Sequence, residues 1–569
     1  MKALHSLFRL FTKTRRRGLL LATAVGLLLV PVLASCDSFL NEQPVSEVSE
    51  EDFYRNGEDL VTATNAIYAT LQATNDNRWD GLSSILLWYG SSKSDIGRSN
   101  SPNHGNKYFR LNGTSDQAQG RADAIWDGGY NAIMRANTVL RKAPGIEMDQ
   151  TLKERLVAET KFLRALWYFT LVRVFGQPEG EGMGVPLVTR RISVEEAYET
   201  PRAPVDSVYM QIISDLQDAA AGLPTGYGDS DEGRATRGAA NTLLGKVYLT
   251  REQWQKASTQ FQKVINSGAY RLLDNYADLW GLENENNDEF IFTVEHESGL
   301  QDEGAFFTRN AYPRSGAESI TYGYGGLGAY TPSMLLMDRL DMFTLNNPLG
   351  ARFAAEVDTA DEGDLRSLWY QRWYPTDPNN YSITVNDDGD LDVENINYSY
   401  SGGECAECYS EKFRAPPGSP SERGTDSPLD WAMFRYADVL LMQAEALNEI
   451  NGGPTPQALE YLNRVRTRAG LEPYENLSYE QFWERVQRER VFELGIEGKR
   501  WWDLRRTPEA HGGTDRWLSV MRDYFDYIGA GNADPEPHEI ALPLPISVLE
   551  RNPDIEQTPG YERPIIAEE

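Results

Sequence analysis

The stretch Leu244-Gly245-Lys246-Val247-Tyr248-Leu249-Thr250-Arg251-Glu252-Gln253-Trp254-Gln255-Lys256-Ala257-Ser258-Thr259-Gln260-Phe261-Gln262-Lys263-Val264 decides the fold. The small residue Gly245 is followed by an aromatic three positions on, Ala257 nine after that and an aromatic four further, with Leu244, Trp254 and Val264 at the remaining apolar sites. This is tetratricopeptide spacing, in which two antiparallel helices cross closely at small residues. A second copy lies at Ala444, Leu447, Ala458, Leu462 and Val465, lengthened by two residues in the turn Asn451-Gly452-Gly453-Pro454. Such a run of breakers suits a helix-helix corner.

Working outward, the helical period continues without the full repeat. Phe162, Leu163, Leu166, Trp167, Thr170, Leu171 and Val174 line one face, closed by Gly176 and Pro178. Val205, Val208, Tyr209, Ile212, Ile213, Leu216 and Ala220 line another, between Pro204 and Gly222. A plain helical bundle would share the period, but the offsets at seven positions favour repeats. The expectation is a mainly α chain of tetratricopeptide-like helix pairs, a right-handed α-α superhelix. Between the helical blocks, about 275–430 fills with Gly, Pro, Asn, Asp and Tyr, with short strand-like runs such as Phe290-Ile291-Phe292-Thr293-Val294. Abundant Tyr and Trp there argue against disorder, and long loops in compact proteins tend to be functional. The organisation read from these shifts is a leader over 1–35, a helical part over 36–274, a loop-rich insertion over 275–430 and a C-terminal helical part over 431–569. The last three form one integrated domain, 36–569.

The leader carries Lys2, Arg9, Lys13, Arg15, Arg16 and Arg17 and no acid, then an apolar run from Leu19 to Val32. That is the order of a secretory signal. Leu33-Ala34-Ser35-Cys36 places a thiol at the first mature position, where a diacylglyceryl group is attached in lipoproteins. Leu19 to Leu33 is too short to span a bilayer, which needs about 20 residues. The chain therefore reads as a secreted bacterial lipoprotein anchored through Cys36, with acyl chains contributing about 0.8 kcal/mol per buried methylene.

Removing the leader's six basic residues from 55 leaves 49 against 85 acids, a net −36. A polyanion of that size repels nucleic acid and anionic headgroups. After Cys36 only Cys405 and Cys408 remain, spaced Cys-x-x-Cys. In an exported chain a local disulfide fits best, since a metal site would want two more ligands and a redox motif a βαβ surround.

Catalytic patterns are sparse. The histidines, at 5, 104, 296, 511 and 538, show no metal-ligand spacing. No Gly-x-Ser-x-Gly elbow or phosphate-cradling loop appears. A glycosidase carboxylate dyad has no positive sign beyond the abundance of acids, and Glu489, Glu493 and Glu497 interleaved with Arg485, Arg488 and Arg490 read as helical ion pairs. Asp388, Asp390 and Asp392 could hold calcium, but an EF-hand would want Gly where Val393 stands, and Asx-rich turns have the same composition. The expectation is no enzyme and no cofactor, with calcium the weaker alternative.

Several segments together resemble one family. Phe434-Arg435-Tyr436-Ala437-Asp438-Val439-Leu440-Leu441-Met442-Gln443-Ala444-Glu445-Ala446-Leu447-Asn448 is very similar to a signature helix of the SusD/RagB outer-membrane nutrient-binding lipoproteins. Arg488 to Leu494 and Gly498-Lys499-Arg500-Trp501-Trp502-Asp503-Leu504-Arg505-Arg506 resemble a second signature. Trp126-Asp127 to Asn137, Phe162 to Gly176, Gly184 to Val188, Leu544-Pro545-Ile546 and Asn552 to Tyr561 follow in the family's order, and Cys36 to Asn41 resembles its mature N termini. The resemblance implies four tetratricopeptide-like helix pairs under a loop-rich ligand face, and a SusC-like TonB-dependent transporter as partner on the cell exterior. The implied ligands are oligosaccharides or polysaccharides in many members and peptides in others; a surface glycoside hydrolase is the distant alternative.

Sugars stack on aromatic rings while amides, Arg and acids take the hydroxyls. In the family such residues come from the loop after the first helices and from the middle insertion. Here these regions supply Trp79, Arg98, Asn103, His104, Tyr108 and Phe109, then Phe306, Phe307, Tyr312, Tyr322, Tyr324 and Tyr330. By contrast, Lys499, Arg500, Trp501 and Trp502 follow an amphipathic helix and are expected to be buried structure, not a ligand site.

Overall fold

A computed structural model describes residues 53–72, 81–98, 116–177, 182–300, 303–305, 307–308, 331–332, 370–372, 382–385, 391–394, 408–413, 427–527 and 534–562. The chain divides into two compact units, 1–59 and 60–569. In the first, Asn56 Oδ1 accepts from the amides of Glu58 (2.8 Å) and Asp59 (3.2 Å). That is an N-cap for helix α1 (Gly57–Tyr68).

The second unit is built of helices stacked in sequence. After α2 (Leu82–Ser92) come α3 (Asp116–Lys142) and α4 (Gln150–Phe175). The short α5 (Val194–Tyr198) precedes α6 (Val205–Gly222), α7 (Arg237–Thr250) and α8 (Trp254–Asn266). Each of α3, α4, α6, α7 and α8 packs on the next in that series. The α4 helix starts at Asp149, whose carboxylate accepts the Leu152 amide at 2.8 Å, and it ends at Gly176. Its expected apolar face is buried, but so are Arg164, Ala165, Tyr168, Phe169 and Val172 on the other sides. Held between α3 and α6, the helix is enclosed all round, and Arg164 is matched by Asp215 (2.7 Å) and Asn137 (2.7 Å). On α6 the face Val205, Val208, Tyr209, Ile212 and Leu216 is buried, whereas Ile213 and Ala220 are only half-buried.

The repeat that opens the sequence reading is α7 and α8. A Cβ at Gly245 would lie 2.4 Å from a ring carbon of Phe261, so only glycine allows this crossing. The next helix packed on α8 is α9 (Tyr436–Asn451), followed by α10 (Pro456–Arg468) and α11 (Tyr479–Glu493). Gln443 on α9 donates to Ser258 on α8 at 3.0 Å. The stack thus continues across the insertion. The turn after α9 is as its breakers require: Gly452 is left-handed with φ 62°, and Thr455 caps α10 through the Ala458 amide at 3.1 Å. The chain closes with α12 (Arg500–Arg505), α13 (Gly513–Tyr527) and α14 (Ile546–Arg551).

Among the described residues the strands pair in twos, all antiparallel. Strand β1 (Gly97–Arg98) is early; β2 (Phe290–Val294) pairs with β8 (Trp431–Arg435) at the root of the insertion. Between them lie β3 (Thr331–Pro332), β4 (Tyr370–Arg372), β5 (Ser382–Val385), β6 (Leu391–Glu394) and β7 (Cys408–Ser410).

Candidate functional site

The two segments singled out as ligand loops are joined by backbone pairing. Arg98 on β1 stands opposite Thr331 on β3, and Gly97 opposite Pro332. This brings Arg98 beside the residue that follows Tyr330, across more than two hundred residues of sequence. Strand β3 also lies against β7, which pairs with β4. Trp79, Asn103, His104, Tyr108, Phe109, Phe306, Tyr312, Tyr322, Tyr324 and Tyr330 lie outside the described residues, as does the Arg98 side chain. Phe307 is placed otherwise than expected. Its ring is buried edge-on against His296 and Phe413, each at 5.5 Å, so it packs its own layer.

Lys412, unflagged in the sequence, fixes this layer to the helices. Its Nζ donates to the carbonyls of Glu493 (3.2 Å) and Gly495 (3.0 Å) and to Glu497 Oε1 (2.9 Å), and it lies 5.2 Å from the Trp280 ring centre. Burial pushes this amine down to about 8, opposed by Glu497. Only a buried carboxylate opposite would have revealed it, and sequence does not show which of 85 acids that is.

At the scaffold end of the β2–β8 ladder, Arg435 is 1% exposed and pairs with Glu289 (2.7 Å), Glu493 (3.0 Å) and Glu497 (2.9 Å). Arg468 adds bonds to Glu289 and Glu493. Against burial, the three carboxylates hold Arg435 firmly charged, and Arg435 with Lys412 holds Glu497 below the usual range. The expected burial of 498–503 is seen. Trp501 is fully buried, Trp502 stacks on it at 4.2 Å, and Arg500 pairs with Asp95 at 2.8 Å. Gly498 has φ +74°, and a Cβ there would lie 2.3 Å from the Leu86 carbonyl oxygen on α2.

At the other end of the ladder the balance reverses. Asp430 accepts from the His296 amide at 2.7 Å, and its charged neighbours are Glu285, Glu295 and Glu232. Burial and then Glu285 push Asp430 up to about 8, and burial raises Glu285 and Glu295 too.

The remaining expectations fall at the margins of the described residues. Cys408 lies on β7, its backbone opposite Arg372, while Cys405 is outside. Asp392 lies on β6 opposite Thr384; Asp388 and Asp390 are outside, in the five-residue connection between paired Val385 and Leu391. Cys36 is also outside. Among the described residues no group of three His, Cys, Asp or Glu is placed to hold a metal, and no helix is long and apolar enough to cross a membrane. An open cleft of about 500 Å³ lies between α3, the 186–200 segment and α14, lined by Trp126, Tyr130, Tyr198, Asp127 and Arg551 among others.

Comparison with known proteins gives consistent matches. Residues 288–561 match the SusD family, and 38–249 match a family described as starch-binding associating with outer membrane. SusD-like protein P25 of Formosa agariphila is 27% identical over 543 residues, 91% of this chain and 94% of that protein. Starch-binding protein SusD of Bacteroides thetaiotaomicron is 24% identical over 488 residues, 76% of this chain and 77% of its own length. The solved structure of a laminarin binding SusD-like protein superposes with a TM-score of 0.64 at 27% identity, covering 89% of this chain and 100% of that one.

Proposed function

The chain belongs to the SusD/RagB family, and from this premise we propose that it is a non-catalytic outer-membrane lipoprotein that binds oligosaccharide or polysaccharide. Lipid on Cys36 tethers it facing the cell exterior, and it hands the glycan to a SusC-like TonB-dependent transporter. The observation that carries the reading is the β1–β3 pairing, which joins the backbone at Gly97–Arg98 to Thr331–Pro332, next in sequence to the two aromatic-rich segments. The scaffold beneath is rigid, through Lys412 and the Arg435 ion pairs, and loops on a rigid scaffold are where binding residues are placed. Relatives named for starch and laminarin binding point to the same ligand class.

The test is an affinity gel series with starch, laminarin and other polysaccharides, assayed in parallel for reducing ends. Retardation without product is expected, and Tyr322→Ala with Tyr324→Ala is expected to lower the affinity at least tenfold. Tyr198→Ala, in the cleft by α14, is expected to leave it unchanged. Release of reducing ends, lost on mutating a carboxylate pair, would make the protein a hydrolase. Binding of peptides in place of glycans would turn the reading to peptide uptake. Delivery is tested by pull-down from membranes in mild detergent, where failure of any barrel protein to co-purify counts against it.

A further inference from the structure

A pocket of about 60 Å³ lies among α4, α7, α11 and α12, lined by Arg173, Lys246, Arg490, Lys499, Arg505 and Arg506. In a chain of net charge −30 this concentration of cations is out of character. The carboxylates bonded to them are shared. Lys246 and Arg490 both bond Asp438 at 2.8 Å. Arg490 and Arg506 both bond Asp503, at 2.9 and 3.0 Å, and Arg506 also pairs with Glu445. Lys499 donates to the Met433 carbonyl, and Arg505 to the carbonyls of Ile540 and Gly176. Lys246, Arg490 and Arg506 thus take up these three carboxylates, while the bonds of Arg173 and Lys499 run to backbone carbonyls beside the cavity.

Arg173 is held ready within it. Its Nε donates to the Phe169 carbonyl at 3.0 Å. Its guanidinium carbon lies 3.8 Å from the Phe169 ring centre and 4.3 Å from that of Trp502. The two rings hold the guanidinium in place, and arginine is the side chain whose fork can grip a planar pair of oxygens. Burial, with Arg505 and Arg506 nearby, pushes Arg173 down to about 9. Burial and then Lys246 push Lys499 down to about 7. Both shifts come first from burial, with neighbouring cations adding to it. A water needs about 10–15 Å³ of such space, so the cavity has room for several non-hydrogen atoms. Half-buried Gln177, Lys246 and Thr250 line it too, so the walls reach toward solvent.

We propose that this pocket is an anion site that binds one inorganic oxyanion, phosphate or sulfate, with Arg173 and Lys499 as its donors. The ion supplies negative charge beside Arg173 and Lys499 and welds α4 to the C-terminal signature segment.

The test is equilibrium dialysis of the purified protein at pH 6 against radiolabelled sulfate or phosphate, at constant ionic strength. Saturable binding of one oxyanion per chain is expected. Arg173→Gln and Lys499→Met are each expected to weaken it at least tenfold, and a folded example of either suffices. Thermal unfolding gives the second readout. Millimolar sulfate is expected to raise the Tm of the wild type more than that of the variant, because general salt exclusion acts on both alike. Absence of saturable binding to the wild type overturns the proposal, as does equal affinity in the folded variants.

Discussion

The two ends of the β2–β8 ladder bury acid in opposite ways. At the Phe290–Arg435 end, Glu289, Glu493 and Glu497 face Arg435, Arg468 and Lys412. Five residues away, at the Val294–Trp431 end, Asp430 faces Glu285 and Glu295, and His296 beside it is held neutral, burial pushing it down to about 4. At the first end ionisation is supported, although burial still leaves Glu289 raised. At the second, Asp430 stays protonated to about pH 8. Burial alone does not set the charge state of a carboxylate; the partners present do.

Three experiments can break or sharpen this contrast. The largest effect is expected from Arg435→Met, which strips three buried carboxylates of a common partner. Removing one side of a buried ion pair costs about 3–5 kcal/mol. Urea unfolding monitored by circular dichroism should show a loss of that order, and a loss under about 1 kcal/mol would equate the network with surface pairs.

Asp430→Asn is expected to act in the opposite direction and only at high pH. Because the folded Asp430 carboxyl titrates near 8, well above its ordinary value, its favourable contribution is complete below about pH 4. That contribution is lost as the pH rises through 8. The amide keeps the Oδ1 acceptor for His296 and cannot ionise. The variant should match the wild type at pH 4 and become progressively the more stable of the two as the pH rises toward 9. Equal profiles from pH 4 to 9 would show that Asp430 ionises without penalty.

The smallest effect probes a pair near solvent. His511 Nε2 lies 2.9 Å from Glu449 and Nδ1 3.2 Å from Glu480, with the ring stacked on Trp483 at 4.2 Å. Against burial, Glu449 and Glu480 raise the imidazole above 6.5. Its charge therefore stabilises the fold fully below about pH 6.5, and that part fades as the pH rises through the raised value. Solvent screens the Glu480 side, so His511→Gln should remove under about 1 kcal/mol at pH 6. Thermal melts at pH 6 and 8.5 should show a smaller pH difference for the variant.

Much of the scaffold was legible in the residues. Gly245 and Phe261 announced a close helix crossing and make one, and the breakers after Asn451 make the left-handed cap. The strand-like run 290–294 is β2. Two features escaped. The face on α4 read as one-sided, because periodicity cannot report a helix enclosed by neighbours from several directions. The role of Phe307 was misjudged, because an aromatic in a Gly-rich stretch looks the same whether it awaits a ligand or packs on Phe413. For the two candidate ligand segments, no pattern in either one pointed to the backbone pairing beside them.

Sequence by itself determined the helical repeats and the signature segments, since these are local: helical period, caps and small residues at crossings act within a turn or two of chain. Tertiary structure decided that α8 stacks on α9 across the insertion, and that Arg98 stands opposite Thr331. It also chose which acids face Arg435 and which face only other acids. Those outcomes depend on distances between residues far apart in the chain, and electrostatic energy follows distance in space and the polarity around it, not order along the sequence.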